Sequence, residues 1–100
     1  MGSKPGKTRP CLAIQPDLFG EGGLTSTVLI PITSKLIGED AYPLRIRLPK
    51  GICQLEKESE LLVDQILAWD NSFIAEDLGE LPVPFHDRVK KALREFLDLD

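Results

Sequence analysis

Leu61-Leu62-Val63-Asp64-Gln65-Ile66-Leu67-Ala68-Trp69-Asp70 is the longest nearly unbroken apolar run in the chain, interrupted by Asp64-Gln65. A run dense in large aliphatic residues reads as a central strand covered on both faces, because a half-exposed strand alternates apolar with polar residues. A carboxylate in the middle of such a strand loses its hydration unless a cation or hydrogen-bond donors compensate it. Asp64 therefore requires a partner, a chemical role, or both.

Outside this run the composition bounds the fold. One hundred residues, 42% of them hydrophobic, make a single domain spanning 1–100 with a real core. Eight Gly and eight Pro imply many turns and short strands. Cys11 and Cys53 lie far apart, each in an apolar setting, and read as buried free thiols, not as a metal or disulfide framework. No apolar run reaches membrane-spanning length and the N-terminus lacks a signal-peptide core, so a soluble cytoplasmic protein is expected. The net charge of −4 is unevenly spread: residues 1–54 carry +3 and residues 55–100 carry −7. Overall acidity argues against a coating protein for nucleic acid, while the first half can still supply a local basic patch.

Taken in order, residues 1–8 read as a flexible polar leader, ended by Arg9-Pro10. Cys11 to Gln15 is a short strand stopped at Pro16-Asp17, and 17–23, with three glycines, reads as a loop. Thr25 to Ile30 is a second strand running into Pro31-Ile32-Thr33-Ser34. Pro31 has no N–H to give to a ladder, so it demands an edge or a bulge, which would present Thr33 and Ser34 to one side. The plainer alternative is that both hydroxyls start the following turn. Residues 38–40 read as a loop. Leu44, Ile46 and Leu48 alternate toward the core while Arg45 and Arg47 face water or an anion. Cys53 to Ser59 reads as a polar, exposed connector around Leu55. Residues 75–81 suggest a helical turn and a short strand. From Pro84 onward, Phe85, Val89, Ala92, Leu93, Phe96 and Leu97 define one face of an amphipathic helix over 84–98. The sum is an α+β, mainly β domain: a small, strongly curved antiparallel β-barrel with a C-terminal helix.

Nucleotide-binding glycine loops, Cys/His clusters and a nucleophile elbow are absent. His86 is the only histidine and reads as structural or solvent-facing, which excludes a two-histidine acid–base mechanism. The remaining chemistry lies in Arg9, Thr33, Ser34, Asp64 and Gln65. A guanidinium is permanently charged and suits a phosphodiester and its pentacoordinate transition state. The hydroxyls can donate to non-bridging oxygens, and a desolvated Asp64 can act as a base or position one. Such chemistry needs no metal or cofactor. A buried Arg9–Asp64 pair that merely closes the barrel is the purely structural alternative.

These residues resemble the MazF/PemK (Kid) toxins of bacterial toxin–antitoxin systems. Residues 2–10, ending in Arg9-Pro10, are similar to the family's G-x-E-x-G-x-x-R-P stretch, and Thr27 to Ser34 to its strand ending in P-x-T-[ST]. Leu55 to Ile66 resembles its L-x-x-x-S-x-x-x-x-[DE]-Q-[IV] segment, with Asp70 at the acid that follows. Two departures accompany the likeness. The chain starts after the family's usual first strand, R-G-[DE]-I-W-x-V, and Leu62 stands where PemK-like members carry an Arg two positions before the acid.

The resemblance implies an SH3-like, CcdB-like barrel, usually homodimeric, that cuts single-stranded mRNA at short sequences through a 2′,3′-cyclic phosphate, without metal. Arg9, Thr33 and Asp64 would be catalytic, with Arg9 the cationic acid or phosphate stabiliser and Asp64 the base or its orienter. Ser34, Gln65 and Lys7 would contact RNA. The usual partner would be a cognate antitoxin with an acidic disordered tail. A non-catalytic binding module is the competing functional reading, because the same fold serves toxins such as CcdB that bind a protein and cleave nothing.

Overall fold

The structure is a computed structural model that describes residues 3–4, 7–14, 17–37, 41–74 and 79–99, with side chains at 9–14, 18, 20–37, 41–72, 74 and 79–99. In chain order the elements are β1 (Ser3–Lys4), β2 (Lys7–Thr8), β3 (Cys11–Ala13), α1 (Asp17–Glu21), β4 (Ser26–Thr33), β5 (Arg45–Leu48), β6 (Ser59–Leu62), β7 (Leu67–Asp70) and α2 (Val83–Phe96). The expected leader loop is instead a two-residue antiparallel ribbon of β1 and β2, and the expected loop at 17–23 begins with the one-turn helix α1. The loop expected at 38–40 lies outside the described residues, as does most of the segment expected at 75–81.

β4 is the centre of the sheet. It runs antiparallel to β3 along one edge and to β6 and β7 along the other, with β5 beyond β6. Among the described residues β3 and β5 do not pair with each other, so the sheet is curved and open, and the expected closed barrel is not formed. The class, mainly antiparallel β with one C-terminal helix, is as expected.

The Leu61–Asp70 run is not one strand. Leu61 faces Ile32 and Leu67 faces Leu29, so six steps along the run match three along β4. The three surplus residues, Val63–Gln65, are taken up as a turn of 3₁₀ helix between β6 and β7. Pro31 explains why the ladder tolerates this. The Ile32 amide donates to the Pro10 carbonyl on the β3 side (3.1 Å), so the neighbouring nitrogen, that of Pro31, points to the opposite edge. There the turn interrupts the ladder and no donor is required. Pro31 thus sits in a central strand opposite a bulge carried by its neighbour. Val63 anchors the turn: it is fully buried and its amide donates to the Leu44 carbonyl (2.9 Å), whereas Asp64 and Gln65 are exposed.

The core is built from Ile30 and Ile32 of β4, Ile46 and Leu48 of β5, and Leu61 of β6, together with Leu55, Val63 and Leu81. α2 begins with Pro84 in its first turn and lays Val89 and Ala92 on this cluster, with Phe85 and Leu93 alongside. It also lies against the Val63–Gln65 turn. The expected apolar stripe packs on the core only as far as Leu93, since Phe96 and Leu97 remain exposed. Ile46 and Leu48 are buried as expected, but Leu44 is 42% exposed, because it belongs to the turn ahead of β5 and not to the strand. Ser59, at the end of the expected exposed connector, is buried in β6, as is Glu60 just after it. Cys11 and Cys53 are free thiols, half-buried instead of fully buried.

Truncation separates the two kinds of alternating residue. Ile46→Ala is expected to lower unfolding free energy by about 3 kcal/mol, as a large-to-small change at a fully buried site does. Leu44→Ala should cost less than about 1 kcal/mol, as is usual on the surface. Urea unfolding of both variants checks the assignment.

Candidate active site

The register of β3 on β4 determines which side chains share a face. Cys11 pairs with Pro31 and Ala13 with Leu29, and the ladder continues through the Pro10–Ile32 hydrogen bond, which brings Arg9 beside Thr33. On the other edge Leu67 pairs with Leu29 and Trp69 with Thr27. Side chains alternate along each strand, so Leu29, Pro31 and Thr33 share one face with Arg9, Cys11, Leu67 and Trp69. They line an open cleft of about 260 Å³, with Leu62 and Gln65 contributing where the 3₁₀ turn leaves the sheet.

Of the residues singled out in the sequence, Arg9, Thr33 and Gln65 line this cleft. Ser34 is exposed in the bend just after β4 and does not line it. Asp64 is exposed on the 3₁₀ turn next to Gln65 and likewise does not line it. The expectation of a buried strand carboxylate at Asp64 is therefore wrong: the inserted turn lifts it off the ladder into water, and neither burial nor a buried Arg9 pair constrains it. Arg9 is itself an exposed residue of the cleft lining. The Lys7 backbone lies in β2, and its side chain is outside the described residues.

Thr33 lines the cleft and also starts the following turn. Its Oγ1 accepts a hydrogen bond from the Lys35 amide (3.1 Å), which starts the turn after β4. A hydroxyl that accepts through a lone pair keeps its own proton to donate, so Thr33 can serve the turn and the cleft together. Asp70 caps the 3₁₀ turn after β7, accepting from the Ser72 amide (2.8 Å), and this bond holds its carboxyl below the usual carboxylate range. Asn71 ties that turn to β4, accepting from Thr27 (2.5 Å) and donating to the Leu24 carbonyl (3.1 Å). His86 is structural, its Nε2 2.6 Å from the Leu81 carbonyl at the start of α2.

Among the described residues the buried carboxylate is Glu60. It lies opposite Thr33 in one ladder and Arg47 in the other. One oxygen accepts from Arg45 Nη1 (2.8 Å) and the other from Arg47 Nη2 (3.2 Å), and Arg47 also pairs with Glu58. Arg45 and Arg47 thus face an anion, as their alternation suggested, but the anion belongs to the protein. Burial pushes the Glu60 carboxyl up, yet the hydrogen bonds and charges of the two guanidiniums outweigh it and hold it below the usual glutamate range. Sequence reasoning missed Glu60 because it falls between the connector expected at 53–59 and the apolar run from Leu61 and was assigned to neither. The usable signal was Arg45-x-Arg47 on the next strand, two cations on one face. Trp69 was missed as a cleft residue because it was absorbed into the apolar run. Among the described residues no group of three or more His, Cys, Asp or Glu is arranged to hold a metal ion.

The fold and the site are together those of a small, mainly antiparallel β domain with a C-terminal helix and an arginine–threonine cleft on the face of its central strand. A profile described as "PemK-like, MazF-like toxin of type II toxin-antitoxin system" matches residues 1–97, and the chain belongs to that family. Endoribonuclease MazF6 of Mycobacterium tuberculosis is 32% identical over 98 residues, covering 98% of this chain and 85% of that one. The probable endoribonuclease MazF of Mycolicibacterium smegmatis is also 32% identical, over 98% of this chain and 87% of its own length. The fold is shared with the M. tuberculosis toxin MazF-mt6 (TM-score 0.78, 21% identity, 100% of this chain and 95% of that one). It is shared as well with the Deinococcus radiodurans MazE–MazF complex in form II (TM-score 0.79, 24% identity, 99% and 89%). No helix among the described residues is long and apolar enough to cross a membrane.

Glu60 makes stability acid-sensitive. A carboxyl whose folded pKa lies below its unfolded value contributes stability that is fully present above the unfolded value and is lost as pH falls through the folded one. Denaturant midpoints should therefore hold steady near neutrality and drop as pH descends below the ordinary glutamate value of 4.5. Glu60→Gln should flatten that acid limb, read by urea unfolding across pH.

Proposed function

We propose that this chain is a cytoplasmic endoribonuclease toxin, one domain over 1–100, that cuts single-stranded mRNA as a homodimer and is neutralised by a cognate antitoxin. The observation that carries the reading is the meeting of Arg9, Thr33 and Gln65 in one cleft of a chain whose relatives at 32% identity are named endoribonucleases. The antitoxin partner is supported by the D. radiodurans MazE–MazF complexes of the same fold.

In this mechanism Arg9 and the Thr33 hydroxyl bind the non-bridging oxygens of the scissile phosphate and stabilise the charge that grows on them. The ribose 2′-oxygen forms a bond to phosphorus and the bond from phosphorus to the 5′ oxygen breaks. The 2′-hydroxyl proton passes to the Asp64 carboxylate on the rim turn, and the departing oxygen takes a proton from water. The products are a 2′,3′-cyclic phosphate and a 5′-hydroxyl, with no metal or cofactor taking part. Gln65, Ser34 and Lys7 contact the flanking RNA, and Trp69 offers a flat face on which a neighbouring base stacks.

Incubation with mixed-sequence single-stranded RNA in excess chelator, followed by mapping of product ends, tests the reading. Cyclic-phosphate and 5′-hydroxyl ends at a recurrent short sequence are expected, with the rate reduced about 10²–10³-fold in Arg9→Ala, the loss usual for one oxyanion donor. Intact RNA after incubation with folded protein would point to a non-catalytic binding module instead. Trp69→Ala should act on binding more than on the chemical step, raising KM about tenfold, as loss of one stacked base does.

A further inference from the structure

We infer that Arg45, anchored by the buried Glu60 carboxylate, is a positioning residue for the Thr33 hydroxyl; the inference rests on the cleavage reading above and extends it to a part of the protein outside the cleft. The connection is continuous in hydrogen bonds. Arg45 Nη1 donates to Glu60 Oε1 (2.8 Å) and also to the Lys35 carbonyl (3.3 Å). The Lys35 amide in turn donates to Thr33 Oγ1 (3.1 Å). Lys35 stands in an exposed segment, Ser34 to Ile37, without helix or strand hydrogen bonding of its own. Left to itself such a segment samples many conformations, and the Thr33 rotamer would follow it.

The Arg45 contact removes that freedom from beside the cleft, on the same face of the sheet as Thr33. Glu60 faces Thr33 across the ladder and its side chain is only 3% exposed, so it offers a fixed anionic seat for the guanidinium. Arg47 on the second carboxylate oxygen prevents that seat from rotating. With one lone pair of Thr33 Oγ1 committed to the Lys35 amide, the hydroxyl proton is left to aim at the cleft. Both Arg45 bonds leave from the same nitrogen, so a lysine ammonium with its three donors is able to make both, whereas an apolar chain of similar length makes neither.

The test is a double-mutant cycle on single-turnover RNA cleavage with wild type, Arg45→Met, Thr33→Ala and the combined variant. Arg45→Met is expected to slow cleavage about tenfold with KM changed less than about twofold, Thr33→Ala about 10²-fold, and the combination no more than Thr33→Ala alone. Arg45→Lys should retain the rate to within about threefold. Amide hydrogen exchange supplies a readout apart from activity: the Lys35 amide should exchange faster in Arg45→Met while the amides of β5 and β6 keep their protection. Additive losses, about 10³-fold in the combined variant, or an unchanged Lys35 amide would overturn the positioning role and leave the ribonuclease reading standing. A folded wild-type protein that cleaves no RNA would remove the ribonuclease reading, and the positioning role with it.

Discussion

A proline in a central strand sets the terms for this fold. The Pro31 nitrogen has nothing to donate, and the ladder on that side of β4 is interrupted where it would have been needed. The interruption consists of three residues, Val63–Gln65, wound into a single 3₁₀ turn that Val63 pins to the core and α2 supports from outside. Two features follow from that one accommodation. The strand on either side of the turn changes direction and gives the sheet its curvature, and Gln65 projects into the hollow so formed. The cleft exists because the ladder is broken there.

The end of β4, two residues past Pro31, meets a different constraint. Glu60 is a carboxylate on a strand whose four residues are all buried, a placement that is unfavourable without compensation. Two arginines on the adjacent strand supply it, and their stems lie along the sheet while their heads stay partly in water. Such a cluster gains less in stability than its short distances suggest, because desolvation offsets much of the attraction. Its geometric consequence is larger. It locks β5, β6 and the turn after β4 into one relationship, next to the threonine on which the proposed chemistry depends.

Much of the site was readable in advance, for chemical reasons. Arg9, Thr33 and Gln65 stand out because they are polar residues at strand ends in a chain that has few other chemically able side chains, and they meet in the cleft. Asp64 was misjudged in its surroundings, because hydrophobicity alone does not distinguish a buried strand from two strands joined by a buried turn. The same ambiguity hid Glu60, whose neighbours Lys57 and Glu58 are exposed while Glu60 is not. Trp69 belongs to the cleft by register, a property of the pairing with β4 that leaves no mark in its own local sequence.

The sequence by itself determined the composition of the fold: short strands from its β-branched runs, turns from glycine and proline, and a C-terminal helix from a 3.6-residue period behind Pro84. It also narrowed the candidates for the proposed phosphate-directed chemistry to arginine and hydroxyls, since a single histidine leaves little else. Tertiary structure decided which strands pair, that the sheet stays open, that three residues leave the ladder, and which carboxylate is buried. These are outcomes of register, and register depends on pairing between residues far apart in the chain, such as Thr33 with Glu60 and Ser26 with Asp70, whose energies no local pattern encodes.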